Sequence, residues 1–405
     1  MSYIFVTSLH KRNTLRIITK LMSIYHALLL ILMQSLNIVY FWSPGPRQFD
    51  KYNKYKKNNL RSTMSALRWL YDLYRGFFSY LMILIHVWYR KFQLFHASGR
   101  RFTDTKKDSK LLPLEQITKL SSRCYRILGL NPGSHTLQGT NTYLIGSSEE
   151  KVLIDTSEDI VAKKFAKYLL DEVFPATNTT KLSMILLTHG HVDHQGGVSE
   201  IINEMRKRNL PIPKVYKRHI INGSFPMINN VNSYNIEDKQ SFDIGDTTIR
   251  AIAAPGHTDD HMCFYIPEDK ALLSADCILG CGTTVFDNLS EYMETLFKLR
   301  DSYVLSKDFP VTVIWPGHGD VVNDPLSKIN EYISHRLTRE EQILKFLNAN
   351  KHRWTSSWDI MATIYGNLQF HLKFSAHLNV TNHLQKLISD GVIVKKAPDL
   401  YKIKL

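Results

Sequence analysis

The chain has 405 residues, with 51 Lys and Arg against 37 Asp and Glu and four cysteines. This length accommodates two domains and an extension. The cysteines (Cys124, Cys263, Cys277, Cys281) follow no paired or repeated metal spacing, which argues against a thiolate zinc site and for reduced thiols in a reducing compartment. Divided along the chain, the net charge is +15 over 1–110 (19 basic residues, 4 acidic), −7 over 111–335 (21 against 28) and +6 over 336–405 (11 against 5), so the basic excess is no argument for nucleic-acid binding by the central segment.

Residues 1–110 form a basic N-terminal extension with no acidic residue before Asp50, and Lys11, Arg12, Arg16 and Lys20 precede an apolar stretch. Acid-poor basic leaders have the character of mitochondrial presequences, so the first expectation is a poorly structured targeting segment and a mitochondrial matrix location. The second is a membrane anchor through Leu21–Trp42, which carries no formal charge and matches the roughly 20 apolar residues a span needs. Ser23, His26, Gln34, Ser35 and Asn37 weaken that span, and Gly76–Tyr89 is apolar but short for one. A true start at Met64 is the third.

From 111 to 335 strand and helix patterns alternate. Strands are expected at Tyr125–Leu130, Asn141–Ile145, Val152–Ile154, Met184–Leu187, Thr248–Ala254, Ala271–Ala275 and Val311–Trp315, and helices at Asp159–Val173, Gly197–Arg208 and Leu289–Leu305. After the strand ending at Leu187 comes Thr-His-Gly-His-Val-Asp-His-Gln-Gly-Gly. In a tight loop after a strand, alternate residues converge, so that His189 and His191 can bind one ion while Asp193 and His194 reach a second. Imidazole and carboxylate suit zinc, with manganese or iron possible. A histidine-rich surface loop is the plain alternative. Three further ligand types at strand ends speak against it: His257 in Ala-Pro-Gly-His-Thr, Asp276 after Ala275, and His318 in Trp-Pro-Gly-His-Gly.

The last segment, 336–405, has winged-helix character. His335–Asn348 carries Leu337, Ile343, Leu344 and Leu347 on one stripe, Ser356–Tyr365 opens near a capping box of Ser356 and Asp359, and Phe374–Ser389 stops at Gly391. Val392–Lys395 and Leu400–Ile403 then alternate as a hairpin wing would. Lys373, Lys386, Lys395 and Lys396, with Lys402 and Lys404, supply phosphate contacts if the module binds nucleic acid. Equally, the module packs beside the site and narrows access to it, since charge runs are usually solvated faces.

These motifs, with Leu-Ile-Asp-Thr at 153–156, resemble the metallo-beta-lactamase superfamily. Asn-Pro-Gly (131–133), Leu-Gln-Gly-Thr-Asn-Thr-Tyr-Leu (137–144), Pro-Gly-His-Thr-Asp-Asp-His-Met (255–262) and Asp-Cys-Ile-Leu-Gly-Cys-Gly-Thr-Thr-Val-Phe (276–286) are similar to the beta-lactamase-like protein 2 family of animal mitochondrial endoribonucleases. The resemblance covers about Pro113–Leu405. It implies an α+β fold, a four-layer αββα sandwich with a C-terminal winged-helix-like α/β domain, and ligands on loops along one edge. It further implies two zinc ions per chain: His189, His191 and His257 on one, Asp193, His194 and His318 on the other, Asp276 bridging.

The implied chemistry is attack by a hydroxide between the ions, zinc lowering the pKa of bound water to about 7. Asp193 would also orient that water. Asp155 either supports a ligating histidine or caps a strand end. The general acid is open; His261 could protonate a leaving oxygen, though support of the ligands is the stronger reading. Two departures, Gly190 between the paired histidines and Ser157 after Ile-Asp-Thr, touch no ligand and concern the pocket wall. The expected function is a zinc-dependent endoribonuclease, an endonuclease on single-stranded RNA with no obligate protein partner evident. A thioesterase or acyl hydrolase is the alternative. An inactive binding protein is disfavoured because all seven ligand positions are filled.

Overall fold

The computed structural model describes residues 111–405, apart from 221–226, 229–230, 367, 369, 397 and 405. The targeting, anchor and Met64 expectations fall on residues outside these. Among the described residues no helix is long and apolar enough to cross a membrane.

Two sheets carry the site. The first holds β1 (Ile117–Lys119), β2 (Cys124–Leu128), β3 (Asn141–Ile145), β4 (Glu150–Ile154), β5 (Lys181–Leu187) and β6 (Lys214–Lys217) in that order, and the ribbon β7 (Met227–Ile228) and β8 (Val231–Asn232) precedes its last strand, β9 (Tyr234–Asn235). The second runs β10 (Ser241–Ile244), β11 (Thr247–Ala253), β12 (Met262–Ile266), β13 (Ala271–Ala275) and β14 (Val313–Pro316). Two-residue periodicity sorts their side chains into layers. Leu144, Leu153, Ile185 and Leu187 turn outward, against Phe165 and Ala166 of α1 (Ala162–Tyr168) and, beyond the one-turn α2 (Val192–Gln195), Ile201 and Met205 of α3 (Val198–Lys207). Tyr143, Ile145, Val152, Ile154 and Leu186 turn inward to meet Ile249, Ala251, Phe264 and Leu273 of the second sheet. That sheet's far face, with Ile252, Tyr265, Leu272 and Ile314, packs on α4 (Leu289–Leu299) and the first half of α5 (Pro325–Ala349). The order of layers is helix, sheet, sheet, helix, as the sequence led us to expect.

The expected boundary at 335/336 falls inside α5. This helix opens on Asp324, whose carboxylate accepts from Ser327 N at 3.0 Å, with Pro325 in its first turn, a start signal ten residues before the one read from the apolar stripe. Its first half lies in the second sheet's helical layer, while Ile343 and Leu347 belong to the core of the C-terminal module. That module adds α6 (Ser357–Tyr365), with the capping box of Ser356 and Asp359 formed, and α7 (Phe370–Ser389), which begins four residues before the expected Phe374. The antiparallel hairpin β15 (Ile393–Lys396) and β16 (Leu400–Ile403) completes it. Together they make a winged-helix arrangement.

Candidate metal centre

Each ligand candidate leaves the C-terminal end of a strand. β5 delivers His189 and His191, and α2 turns Asp193 and His194 back toward them. His257 follows β11, Asp276 follows β13 and His318 follows β14. The Pro-Gly-His turns exist for steric reasons. Gly256 has φ +121°, and a Cβ there would lie 2.4 Å from Tyr292 Cα; a Cβ on Gly317 would lie 2.4 Å from Asp276 Oδ1. Only glycine lets these loops approach so closely.

Seven side chains converge in two groups. His189, His191, His257 and Asp276 offer ligand atoms all within 4.8 Å of one another, and so do Asp193, His194 and His318. His189 Nε2 and His257 Nε2 stand 2.8 and 3.1 Å from His191 Nδ1. The Asp276 carboxylate stands between the groups: Oδ1 is 3.3 Å from both His194 Nε2 and His318 Nε2, and Oδ2 is 3.6 Å from His257 Nε2. His194 Nε2 and Asp276 Oδ1 are fully buried yet make no hydrogen bond. Buried polar atoms are otherwise almost always satisfied, so this pair of orphans, with three imidazole nitrogens crowded on one point, fits a bound divalent cation.

Outer contacts fix which nitrogen faces the centre. His257 Nδ1 donates to the Val285 carbonyl at 2.7 Å and His194 Nδ1 lies 2.7 Å from Asp155 Oδ2, leaving Nε2 of each as the lone pair. Asp155, buried and at φ +60°, also accepts from Thr188 N and Thr188 Oγ1, each at 2.8 Å.

Charge divides the centre in two. Burial pushes His257 down to about 3, with His191 adding to the effect, and lowers His189 and His191 as well. Burial opposes protonation of His318 too, but Asp276 and Asp193 outweigh it and raise it to about 9. His194 is raised in the same way by Asp193, Asp276 and Asp155. Burial likewise works to raise the Asp276 carboxyl, and His318 and His194 hold it well below its usual range.

Other expected residues sit elsewhere. His261 is fully buried, its ring 5.0 Å from that of His189, and burial lowers it to about 4, so the protonated form a general acid needs is scarce at neutral pH. Gly190 faces the buried ion pair Lys217–Asp260: a Cβ would come 3.1 Å from Asp260 Oδ2, so the wall left open by the missing side chain is formed by this pair. Ser157 is buried. On the C-terminal module, Lys395 and Lys396 are exposed on the wing, their ammonium groups 5.7 Å from the Tyr401 ring and 6.0 Å from the Trp354 ring. Lys373 is half-buried on α7. Lys386 is engaged within the module by Glu340 at 3.0 Å and Asp390 at 2.7 Å.

Two residues of the centre's surroundings escaped the reading of side-chain chemistry. Thr140 Oγ1 donates to Asp193 Oδ2 at 3.1 Å, and Asn141 Nδ2 donates to the Pro316 and Gly319 carbonyls, both at 2.8 Å, bracketing His318. The one signal for them was the Gly-Thr-Asn-Thr run that leads into β3.

Residues 135–318 match the metallo-beta-lactamase superfamily, and 356–399 match the beta-lactamase associated winged helix domain. A beta-lactamase-like protein 2 homolog of Caenorhabditis elegans is 40% identical over 70% of this chain and 90% of its own length, and one of Drosophila melanogaster is 36% identical over 70% and 94%. An atrochrysone carboxyl ACP thioesterase of Cryptosporiopsis sp. (strain 8999) is 36% identical over 60% of this chain and 69% of its own. Among solved structures, a beta-lactamase domain protein from Burkholderia ambifaria aligns with a TM-score of 0.59 at 16% identity, over 73% of this chain and 96% of its own, which speaks for the fold alone.

Proposed function

Because the chain belongs to the metallo-beta-lactamase superfamily, whose fold and site are those of metal-dependent hydrolases, we propose that it is a zinc-dependent endoribonuclease hydrolysing phosphodiester bonds of single-stranded RNA. The observation that carries this reading is the extent of its likeness to the beta-lactamase-like protein 2 homologs, which covers 285 residues and 90% and 94% of their lengths. The exposed lysines of the wing add a surface suited to phosphates, and the exposed Trp354 ring beside Lys396 one suited to an unstacked base. His189, His191 and His257 would hold one ion, Asp193, His194 and His318 the second, and Asp276 would join them. When bound, such cations supply a water-derived nucleophile at neutral pH and stabilise negative charge developing at the attacked group. Asp193, held by Thr140, is the carboxylate placed to accept and orient a proton of the attacking water.

Cleavage of a labelled single-stranded RNA by the zinc-loaded full chain, absent from the double variant His189→Ala, His191→Ala, is the expected result. A chain that holds zinc and leaves RNA intact, yet hydrolyses acyl thioesters, would establish the second reading, which the fungal thioesterase relative favours.

The split protonation sets the pH dependence of metal uptake. His189, His191 and His257 are neutral at neutral pH and can ligate without losing a proton. His194 and His318 both have raised pKa values, that of His318 at about 9, so at neutral pH a proton competes with the cation at each. Uptake by the Asp193–His194–His318 half should therefore strengthen as pH rises toward 9, approaching a hundredfold per pH unit where two protons are displaced. Metal content at a fixed, limiting free zinc concentration should climb from about one ion per chain in mild acid to about two in mild alkali. Uptake of both ions with one shared pH profile would refute the assignment.

A further inference from the structure

The loop Thr284–Phe286 connects the candidate metal centre to the C-terminal module, and its backbone carbonyls are held alternately from two sides. The middle one, Val285 O, accepts from His257 Nδ1 at 2.7 Å. Thr284 O, before it, accepts from Arg336 Nη2 at 2.7 Å, and Phe286 O, after it, accepts from Asn382 Nδ2 at 2.7 Å. Arg336 lies on α5 and Asn382 on α7, 52 and 96 residues away from the carbonyls they hold. The contact is buried and specific. Arg336 is 3% exposed, and its guanidinium carbon stands 4.7 Å from the centre of the Phe286 ring, which also stacks on Tyr292 at 5.5 Å and meets the edge of His383 at 6.3 Å. Tyr332, one turn before Arg336, holds the approach to the loop by accepting from Leu279 N at 3.0 Å and donating to Gly282 O at 3.1 Å.

Donors to the carbonyls of 284 and 286 pin the peptide units on either side of Val285, and so restrict where its own carbonyl points. Val285 O in turn sets the tautomer and ring orientation of His257, and outer hydrogen bonds of this kind govern metal affinity. We infer that Asn382 and Arg336 are positioning residues for His257: the winged-helix module holds the Thr284–Phe286 loop so that His257 presents Nε2 to the metal. The module thereby belongs to the metal site as well as to any substrate surface. The inference rests on the reading of this cluster as a metal centre and is independent of whether the substrate is RNA or a thioester.

The test uses the full-length chain. Asn382→Ala removes the donor to Phe286 O, and Asn382→Asp keeps the volume but sets a carboxylate against that carbonyl. Asn379→Ala, on the same helix, removes the acceptor of the Tyr365 hydroxyl at 3.1 Å and leaves the loop alone, so it controls for general loosening of the module. Zinc affinity is read by competition with a chromophoric chelator, and ligand geometry by the visible spectrum of the cobalt-loaded chain. Asn382→Ala should weaken the affinity about tenfold and Asn382→Asp more, with an altered cobalt spectrum, while Asn379→Ala leaves both readouts as in wild type. Unchanged affinity and spectrum in the Asn382 variants would overturn the inference, as would equal losses in Asn379→Ala. A wild-type chain that bound neither zinc nor cobalt would instead overturn the metal centre itself.

Discussion

Asp276→Ala is expected to lose bound metal and hydrolytic activity together, the latter by at least about a thousandfold, equivalent to roughly 4 kcal/mol of barrier. The carboxylate presents Oδ1 to His194 and His318 and Oδ2 to His257, so its removal takes a ligand from both groups at once. It also takes the largest favourable charge from His318, whose raised pKa depends first on Asp276 among its neighbours. The space is confined, since Gly317 passes so close that a Cβ there would lie 2.4 Å from Oδ1. Asp276→Asn separates charge from volume: it should fold like wild type and still lose metal. Metal content and turnover measured on one preparation decide the matter. Full activity in either variant would sink the joined, two-ion reading.

The second large effect is expected at Asp155, which touches no candidate metal position. This carboxylate accepts from Thr188 N, Thr188 Oγ1 and His194 Nδ1 in a fully buried setting. Asp155→Ala strands Thr188 N and His194 Nδ1 and leaves Thr188 Oγ1 only His189 Nδ1, 3.0 Å away; at about 1–3 kcal/mol for each stranded donor, the variant should lose about 2–5 kcal/mol of stability once relaxation is allowed for. Asp155→Asn can still accept from Thr188 N through one oxygen, but it turns an amide N–H toward His194 Nδ1–H. It should therefore keep most of its stability and lose metal affinity about 10–100-fold, because His194 no longer has an acceptor fixing its tautomer. Denaturant titration and chelator competition read the two effects separately. If Asp155→Asn bound metal as wild type does, Asp155 would be a strand-end cap and nothing more.

The amino-acid sequence by itself determined the parts of this protein whose cause is local. The knot His189–His194 is legible because one strand end and one helical turn suffice to build it. His257, Asp276 and His318 are legible because each follows an apolar run at the edge where loops gather. Strands β3 and β4 were legible as short apolar runs, and α6 because its capping box lies within four residues. Strands β6 and β12 were not legible: Lys214–Lys217 is short with charged ends, and Met262–Ile266 is buried on both faces and shows no alternation. The start of α5 was hidden because its apolar contacts switch from one core to another halfway along.

Tertiary structure alone decided what depends on groups far apart in the chain. It decided that Asp155 gathers three donors, that the Lys217–Asp260 pair stands beside Gly190, and that Asn382 and Arg336 hold the loop behind His257. Each of these is a hydrogen bond or charge contact between segments tens of residues apart. Such contacts follow from where the layers place their loop ends and leave no periodicity in the sequence to read.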